Sequence, residues 1–133
     1  MANVEVKSDR RYTKDHEWAM GDAQEVVVGL SAFAVEQLGD ITLVNVDVKP
    51  GDEVKAGKSF GTVESVKTLA DLFAPVSGQV IRVNESLLDA PEQINKECYV
   101  GGWLIAIKPT GMADYQALLD AKAYTELLAH EHH

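Results

Sequence analysis

The sequence predicts a mainly β fold, a compact sandwich or flattened barrel edged by short helices, and three observations carry that prediction. Short runs of β-branched and apolar residues recur along the chain, among them Val26 to Val28, the alternation Val44, Val46, Val48, and Trp103 to Ile107. Glycine and proline punctuate the gaps between such runs, at Gly21, Pro50-Gly51, Gly57, Pro75, Gly78 and Pro109. Sustained helical spacing is confined to the last stretch, Asp114 to His130.

Residues 1 to 10 are polar and expected to be loose. Tyr12 to Trp18 and Gln24 to Leu30 read as two strands around a Met20-Gly21-Asp22 turn. Ser31 is placed to cap a short helix, S-A-F-A-V-E-Q-L, which Gly39 closes. Ile41 to Val48 reads as a strand, and the turns Pro50-Gly51-Asp52 and Ala56-Gly57-Lys58 bound a very short one. Gln79 to Val83 forms another strand. Asn84 to Leu88 then reads as one helical turn capped by Asn84 and ended by Pro91, and Asn95 to Gly102 as a loop. Trp103 to Ile107 is nearly all apolar, the signature of a strand buried on both faces, and Pro109 stops it. The C-terminal helix turns Tyr115, Leu118, Leu119, Leu127 and Leu128 inward, and Asp120 is placed to split it by capping a second piece. These elements predict one domain over residues 1–133, with a helical extension from about residue 111 to 130.

The stretch Phe60 to Ala74, F-G-T-V-E-S-V-K-T-L-A-D-L-F-A, predicts a hairpin with Lys67 at its apex. Val63 and Val66 bracket Glu64 and Ser65 on one arm; Thr68, Leu69, Ala70, Asp71, Leu72 and Phe73 make the other. An isolated exposed lysine is ordinarily a solvated charge. At the apex of a rigid hairpin it is also an amine that another enzyme can reach and modify.

Nothing else in the chain has the spacing of a catalyst. G-x-S-x-G, C-x-x-C and phosphate-binding glycine loops are all missing, so neither a catalytic residue nor a metal site is expected. Cys98 reads as a small buried apolar residue, and a single cysteine excludes an internal disulfide. His16 reads as a hydrogen-bonded structural residue within the first strand, and His130, His132 and His133 as a solvated tail or appended tag. The net charge of -9 and pI near 4.8 argue against nucleic acid or an anionic membrane as partner. They favour enzymes with basic docking faces. The first residues carry no apolar signal segment, and no run approaches the length of a membrane span, so a cytoplasmic monomer is expected.

Several motifs, in one order, resemble the glycine cleavage system H-protein family. They are Y-T-K-D-H-E-W (Tyr12 to Trp18), V-G-L-S-x-x-A-x-x-x-L-G-D-I (Val28 to Ile41), and E-S-V-K-x-x-x-D (Glu64 to Asp71), which P-G-D-E-V-K-A-G precedes and A-P-V-S-G-Q-V follows. G-G-W-L-I-A-I-K (Gly101 to Lys108) and L-L-D-A-x-A-Y-x-x-L-L (Leu118 to Leu128) complete the set. The resemblance implies the hammerhead sandwich of lipoyl and biotinyl carrier domains. It implies lipoic acid in amide linkage to Lys67, with Glu64, Ser65 and Val66 beside it in the cofactor site, and no enzymatic activity of the chain's own. Glu17 and Asp71 match acids that lie near the family's pocket for the loaded arm. The partners it implies are glycine decarboxylase, aminomethyltransferase, dihydrolipoyl dehydrogenase, and a lipoate ligase or transferase.

The sequence departs from the family pattern in three places. Leu69-Ala70 replaces two small residues, Cys98 stands where proline commonly precedes Tyr99, and Val100 replaces a small residue. Such changes beside Lys67 leave an alternative open, an H-like lipoyl protein carrying sulfur intermediates for a heterodisulfide-reductase-like oxidation system. A biotin carrier is disfavoured, since its lysine usually lies between methionines and here Val66 and Thr68 flank Lys67.

Overall fold

The computed structural model describes residues 5–131, so His132, His133 and the first four residues lie outside the described residues. The expected N-terminal strand pair is three strands: β1 (Arg11–Tyr12), β2 (Glu17–Gly21) and β3 (Val26–Leu30). What breaks the first expected strand is Thr13. Its amide donates to the Glu17 carbonyl at 2.8 Å, and its hydroxyl accepts the amides of Asp15 and Glu17, each at 3.1 Å. The run Thr13 to His16 is therefore a turn, and His16, expected in a strand, sits in it at φ 74°.

Ser31 caps α1 (Ala32–Leu38) as expected, its Oγ accepting the Ala34 amide at 3.2 Å, and Gly39 ends the helix at φ 77°. β4 (Ile41–Val46), the two-residue β5 (Glu53–Val54), β6 (Ser59–Ser65), β7 (Leu69–Phe73) and β8 (Gly78–Val83) follow. Asn84 does not cap the next helix through its side chain. It turns away, donating from Nδ2 to the carbonyls of Gly101 at 2.9 Å and Trp103 at 2.8 Å. Two short helices, α2 (Ser86–Asp89) and α3 (Gln93–Glu97), occupy the region where one turn and a loop were expected. β9 (Ile105–Pro109) begins two residues later than predicted and carries Pro109 within it, opposite Gly78 at the end of the ladder. The C-terminal stretch is split at Asp120, as predicted, into α4 (Ala113–Gln116) and α5 (Ala121–Glu131). The Asp120 Oδ1 accepts the Ala123 amide at 2.8 Å.

Nine strands build two antiparallel sheets among the described residues. One has the order β1-β2-β3-β9-β8-β5 and the other β4-β6-β7. Both sheets stay open, so of the two expected forms the sandwich is found and the barrel is not. The reason is visible in the sequence of pairings: β7 pairs with β6 alone, leaving a free edge beside the lysine hairpin.

Val28, Val63, Leu72, Ile105 and Ile107, all 0% exposed, meet between the sheets. A second cluster, Tyr12, Trp18, Tyr99, Tyr124 and Leu128, packs under α5. Residues 5–10 are tied to that cluster despite their polarity. Arg10 is 7% exposed, with its guanidinium 4.6 Å from the Trp18 ring and Nη1 donating to the Tyr99 carbonyl at 2.9 Å. The packing makes one stability prediction. Ile105→Ala should cost about 2–5 kcal/mol in a denaturant melt. Leu88→Ala, which truncates a side chain left 61% exposed, should stay within about 0.5 kcal/mol.

Candidate functional site

Lys67 lies at the tip of the β6–β7 hairpin, in the three-residue link Val66-Lys67-Thr68. Ser65 builds that link. Its amide donates to the Thr68 carbonyl at 2.8 Å, and its hydroxyl oxygen accepts the amides of Lys67 and Thr68, each at 3.2 Å. Ser65 is only 8% exposed, so these bonds are made largely out of water, where leaving them unmade is costly. The Val66 amide donates outward to the Asp40 carbonyl at 3.0 Å, anchoring the tip to the end of α1.

Asn95, on α3, fixes that anchor in turn. It donates from Nδ2 to the Gly39 carbonyl and accepts the Ile41 amide at Oδ1, both at 2.9 Å. Gly39 is favoured by its backbone, whose φ of 77° is left-handed; a Cβ there would meet Lys67 Cε at 3.5 Å and Val66 Cγ2 at 3.6 Å, ordinary contact distances. The aliphatic stem of Lys67 thus lies against the end of α1 while the residue remains exposed. Among the described residues its ammonium makes no hydrogen bond or ion pair.

Glu17 lies at the other end of the same hairpin arm. The strand Leu69–Phe73 spans roughly 13 Å at the usual rise per residue. The Phe73 amide donates to Glu17 Oε2 at 3.1 Å, and the Thr13 hydroxyl donates to Oε1 at 2.7 Å. Glu17 is 1% exposed and borders a cleft of about 320 Å3 walled mainly by Thr13, Phe73, Pro75, Leu118 and Leu119. Burial pushes its carboxyl up to about 7, with the charge of Asp15 acting the same way and the Thr13 and Phe73 bonds opposing.

The sequence-derived residues divide accordingly. Ser65, Val66 and Lys67 form one rigid tip, and Glu17 forms the floor of a cleft at the far end of β7. Asp71 is exposed and pairs with Thr62, which pairs with Asn45, so it belongs to the outward face of the three-stranded sheet. Glu64 is on that face too, in a row with Leu43 and Leu69. The structure therefore does not bring Glu17 and Asp71 together around one point.

Three positioning residues were missed. Thr13 shapes both the turn and the Glu17 carboxylate, and its signal was the polar run T-K-D-H, too dense in turn-formers for a strand. Tyr124, 0% exposed, stacks on Tyr12 at 4.3 Å and places its hydroxyl 2.7 Å from Ser31 Oγ and 2.8 Å from His16 Nδ1. It shares a helical face with Leu127 and Leu128, which could have revealed it. Asn95 had no local signal.

Two open β sheets that hold a solvated lysine on a stapled hairpin make a small support domain that presents one amine to other proteins. Comparison with known proteins gives the particular kind. The profile of the family described as "Glycine cleavage H-protein" matches residues 10–131. The chain is 52% identical over 122 residues to a "Glycine cleavage system H protein" of Anaeromyxobacter sp. (strain K), covering 91% of this chain and 94% of that relative. It is 41% identical to the Thermus thermophilus protein of the same name, over 96% and 99% of the two chains. A crystal structure of a glycine cleavage system H protein from Mycobacterium marinum superposes with a TM-score of 0.86 at 39% identity, covering 93% of this chain and 99% of that one. The chain belongs to the glycine cleavage H-protein family, whose members are carrier subunits rather than catalysts.

The buried acid has a measurable consequence. A folded-state value near 7, above the ordinary 4.5, means the fold holds a proton that the unfolded chain has released. Glu17's contribution to stability is then fully present below pH 4.5 and is lost as pH rises through 7. Glu17→Gln should flatten this decline, removing a pH-dependent loss of about 3 kcal/mol between those limits. Urea melts of both proteins from pH 4.5 to 8 check it; parallel curves would exclude a strongly raised carboxyl.

Proposed function

We propose that this protein carries lipoic acid on Lys67 and moves an aminomethyl group from glycine decarboxylase to aminomethyltransferase in the glycine cleavage system. The observation that carries the reading is the exposed, unpaired Lys67 on a tip stapled by Ser65 and anchored through Val66 to α1. Amide formation needs a neutral amine that attacks an activated carboxyl. The C–N bond forms, the bond to the activating group breaks with its electron pair, and the amine gives up a proton. A lysine already engaged in an ion pair would have to break it first.

The dithiolane supplies the reactive sulfur that binds the cargo, and dihydrolipoyl dehydrogenase restores it. The protein supplies direction and shelter. Along the free edge of β7, the Glu17 cleft, whose walls are mostly apolar, would receive an arm attached to Lys67. An ammonium brought there needs an anion, because burying it unpaired is costly. Glu17, held by Thr13 and Phe73, is that anion, and with its carboxyl near 7 it gives up a proton as the cation arrives. Asp71, on the outward face, meets the arm only at the rim. The protein acts as a cytoplasmic monomer, loaded by a lipoate ligase or transferase.

Mass spectrometry after incubation with ligase, lipoate and ATP should find one lipoyl group, on Lys67. Lys67→Arg should keep the fold and take none, since a guanidinium does not form the amide. On protein charged by glycine decarboxylase, Glu17→Gln should shorten the lifetime of the bound aminomethyl group severalfold, and Asp71→Asn should change it less. Equal lifetimes would remove Glu17 from the mechanism. A lipoylated wild type that takes no aminomethyl group would point to the sulfur cargo instead.

A further inference from the structure

The outward face of the three-stranded sheet carries two exposed leucines in one row, either side of Glu64, that the arm-holding role leaves unused. Leu43 on β4 lies opposite Glu64 on β6, which lies opposite Leu69 on β7. In an antiparallel sheet directly paired residues share a face, so the three form one line across all three strands. Leu43 is 50% exposed and Leu69 63% exposed, and Val66, next to the lysine, is 66% exposed. The side chains just inside the row face the core instead: Val44 and Val63 are buried, and Ala70 packs against the same cluster. Leu69 also does not line the Glu17 cleft, so its size does not serve to wall the arm's resting place.

We propose that Leu43, Leu69 and Val66 form the docking surface for the enzyme that acylates Lys67, a protein presenting apolar contacts beside basic groups. The inference rests on the lipoyl-carrier reading. Enzymes that act on the far end of a loaded arm meet their chemistry an arm's length from the lysine. The acylating enzyme must instead bring an activated carboxyl to the amine itself, and so must enclose the residues beside it. Those residues are apolar at Val66 and Leu69, and Leu43 lies on the outward face beyond Glu64. Exposed carboxylates surround them, Asp40 behind the tip, Glu64 within the row and Asp71 in the next row, on a chain of net charge -9. Exposed apolar side chains interleaved with carboxylates fit a partner that offers apolar contacts beside basic groups, and the carboxylates set the sign of that partner. The patch is also held still before contact. The Ser65 bonds fix the link, and the Val66–Asp40 bond fixes the tip, which lowers the ordering cost of docking.

The test is lipoylation by a lipoate ligase with lipoate and ATP, followed by mass spectrometry over a range of carrier concentrations. Leu43→Thr with Leu69→Thr keeps strand-favouring side chains and removes the two exposed leucines. Leu88→Thr, on α2 and 61% exposed, is the control away from the tip. The double variant should raise KM about tenfold with kcat kept, and the control should match the wild type. Once lipoylated to completion, the double variant should be reduced by dihydrolipoyl dehydrogenase at the wild-type rate. A double variant with unchanged KM overturns the proposal. So does an equal loss in the dehydrogenase step, which would make the row a general docking face. Failure of the wild type to accept any lipoyl group would instead bring down the carrier reading on which the inference rests. Superimposable melting curves for the variants keep a folding defect from passing as a docking defect.

Discussion

The hydroxyl of Tyr124 holds together parts of the chain that would otherwise have no reason to keep register. It lies within hydrogen-bond distance of Ser31 Oγ, the cap of α1, and of His16 Nδ1, in the strained turn before Glu17. From Ser31 the constraint runs through α1 to Gly39 and Asp40, whose carbonyl holds the Val66 amide beside Lys67. From His16 it runs one residue to Glu17 and the cleft. The C-terminal helix thus bears on both the lysine hairpin and the Glu17 cleft, the two ends of the track proposed for the arm. The stacking of Tyr124 on Tyr12 and the paired main-chain bonds between Tyr12 and Leu119 explain how so short a helix is fixed firmly enough to do it.

The two ends of the track place opposite demands on their side chains. At the tip the backbone is fixed and the lysine is left free, since every main-chain bond in the link is made by Ser65 or Asp40 and none uses the ammonium. At the cleft the side chain itself is fixed, by Thr13 and the Phe73 amide, in surroundings that disfavour its charge. A carboxyl made fully comfortable there by several donors would stay ionised regardless of what occupied the cleft. One held by only two neutral donors under a desolvation penalty keeps an incentive to pair with a cation.

Much of this was legible in the sequence where chemistry is local. Ser31 and Gly39 bound α1, Asp120 splits the C-terminal helix, and the apolar alternation around Val44 and Val63 builds the sandwich core. The lysine hairpin followed from β-branched arms between glycine and proline breaks. What could not be read depends on partners distant in sequence. Asn95 looked like loop because its value lies in the Gly39 and Ile41 main chain, more than fifty residues away. Asn84 looked like a cap because Asn usually is one, yet its Nδ2 is held by the carbonyls of Gly101 and Trp103 and its Oδ1 accepts the Ser86 hydroxyl instead of a helix amide. Glu17 and Asp71 looked equivalent as acids, and only strand register separates a buried carboxyl from an outward one.

The acidic character of the chain bears on how such a hairpin can exist in solution at all. β7 is an edge strand, and edge strands with exposed apolar side chains are templates for pairing with another copy. Here Leu69 sits on that edge, but its cross-strand neighbour is Glu64 and the next outward residue on its own strand is Asp71. A second copy brought edge to edge would set like charges against each other, in a chain that carries a net charge of -9. The same carboxylates would attract a basic surface. The carboxylates that would oppose such edge pairing are thus the same ones that would draw a basic partner to the apolar residues beside Lys67.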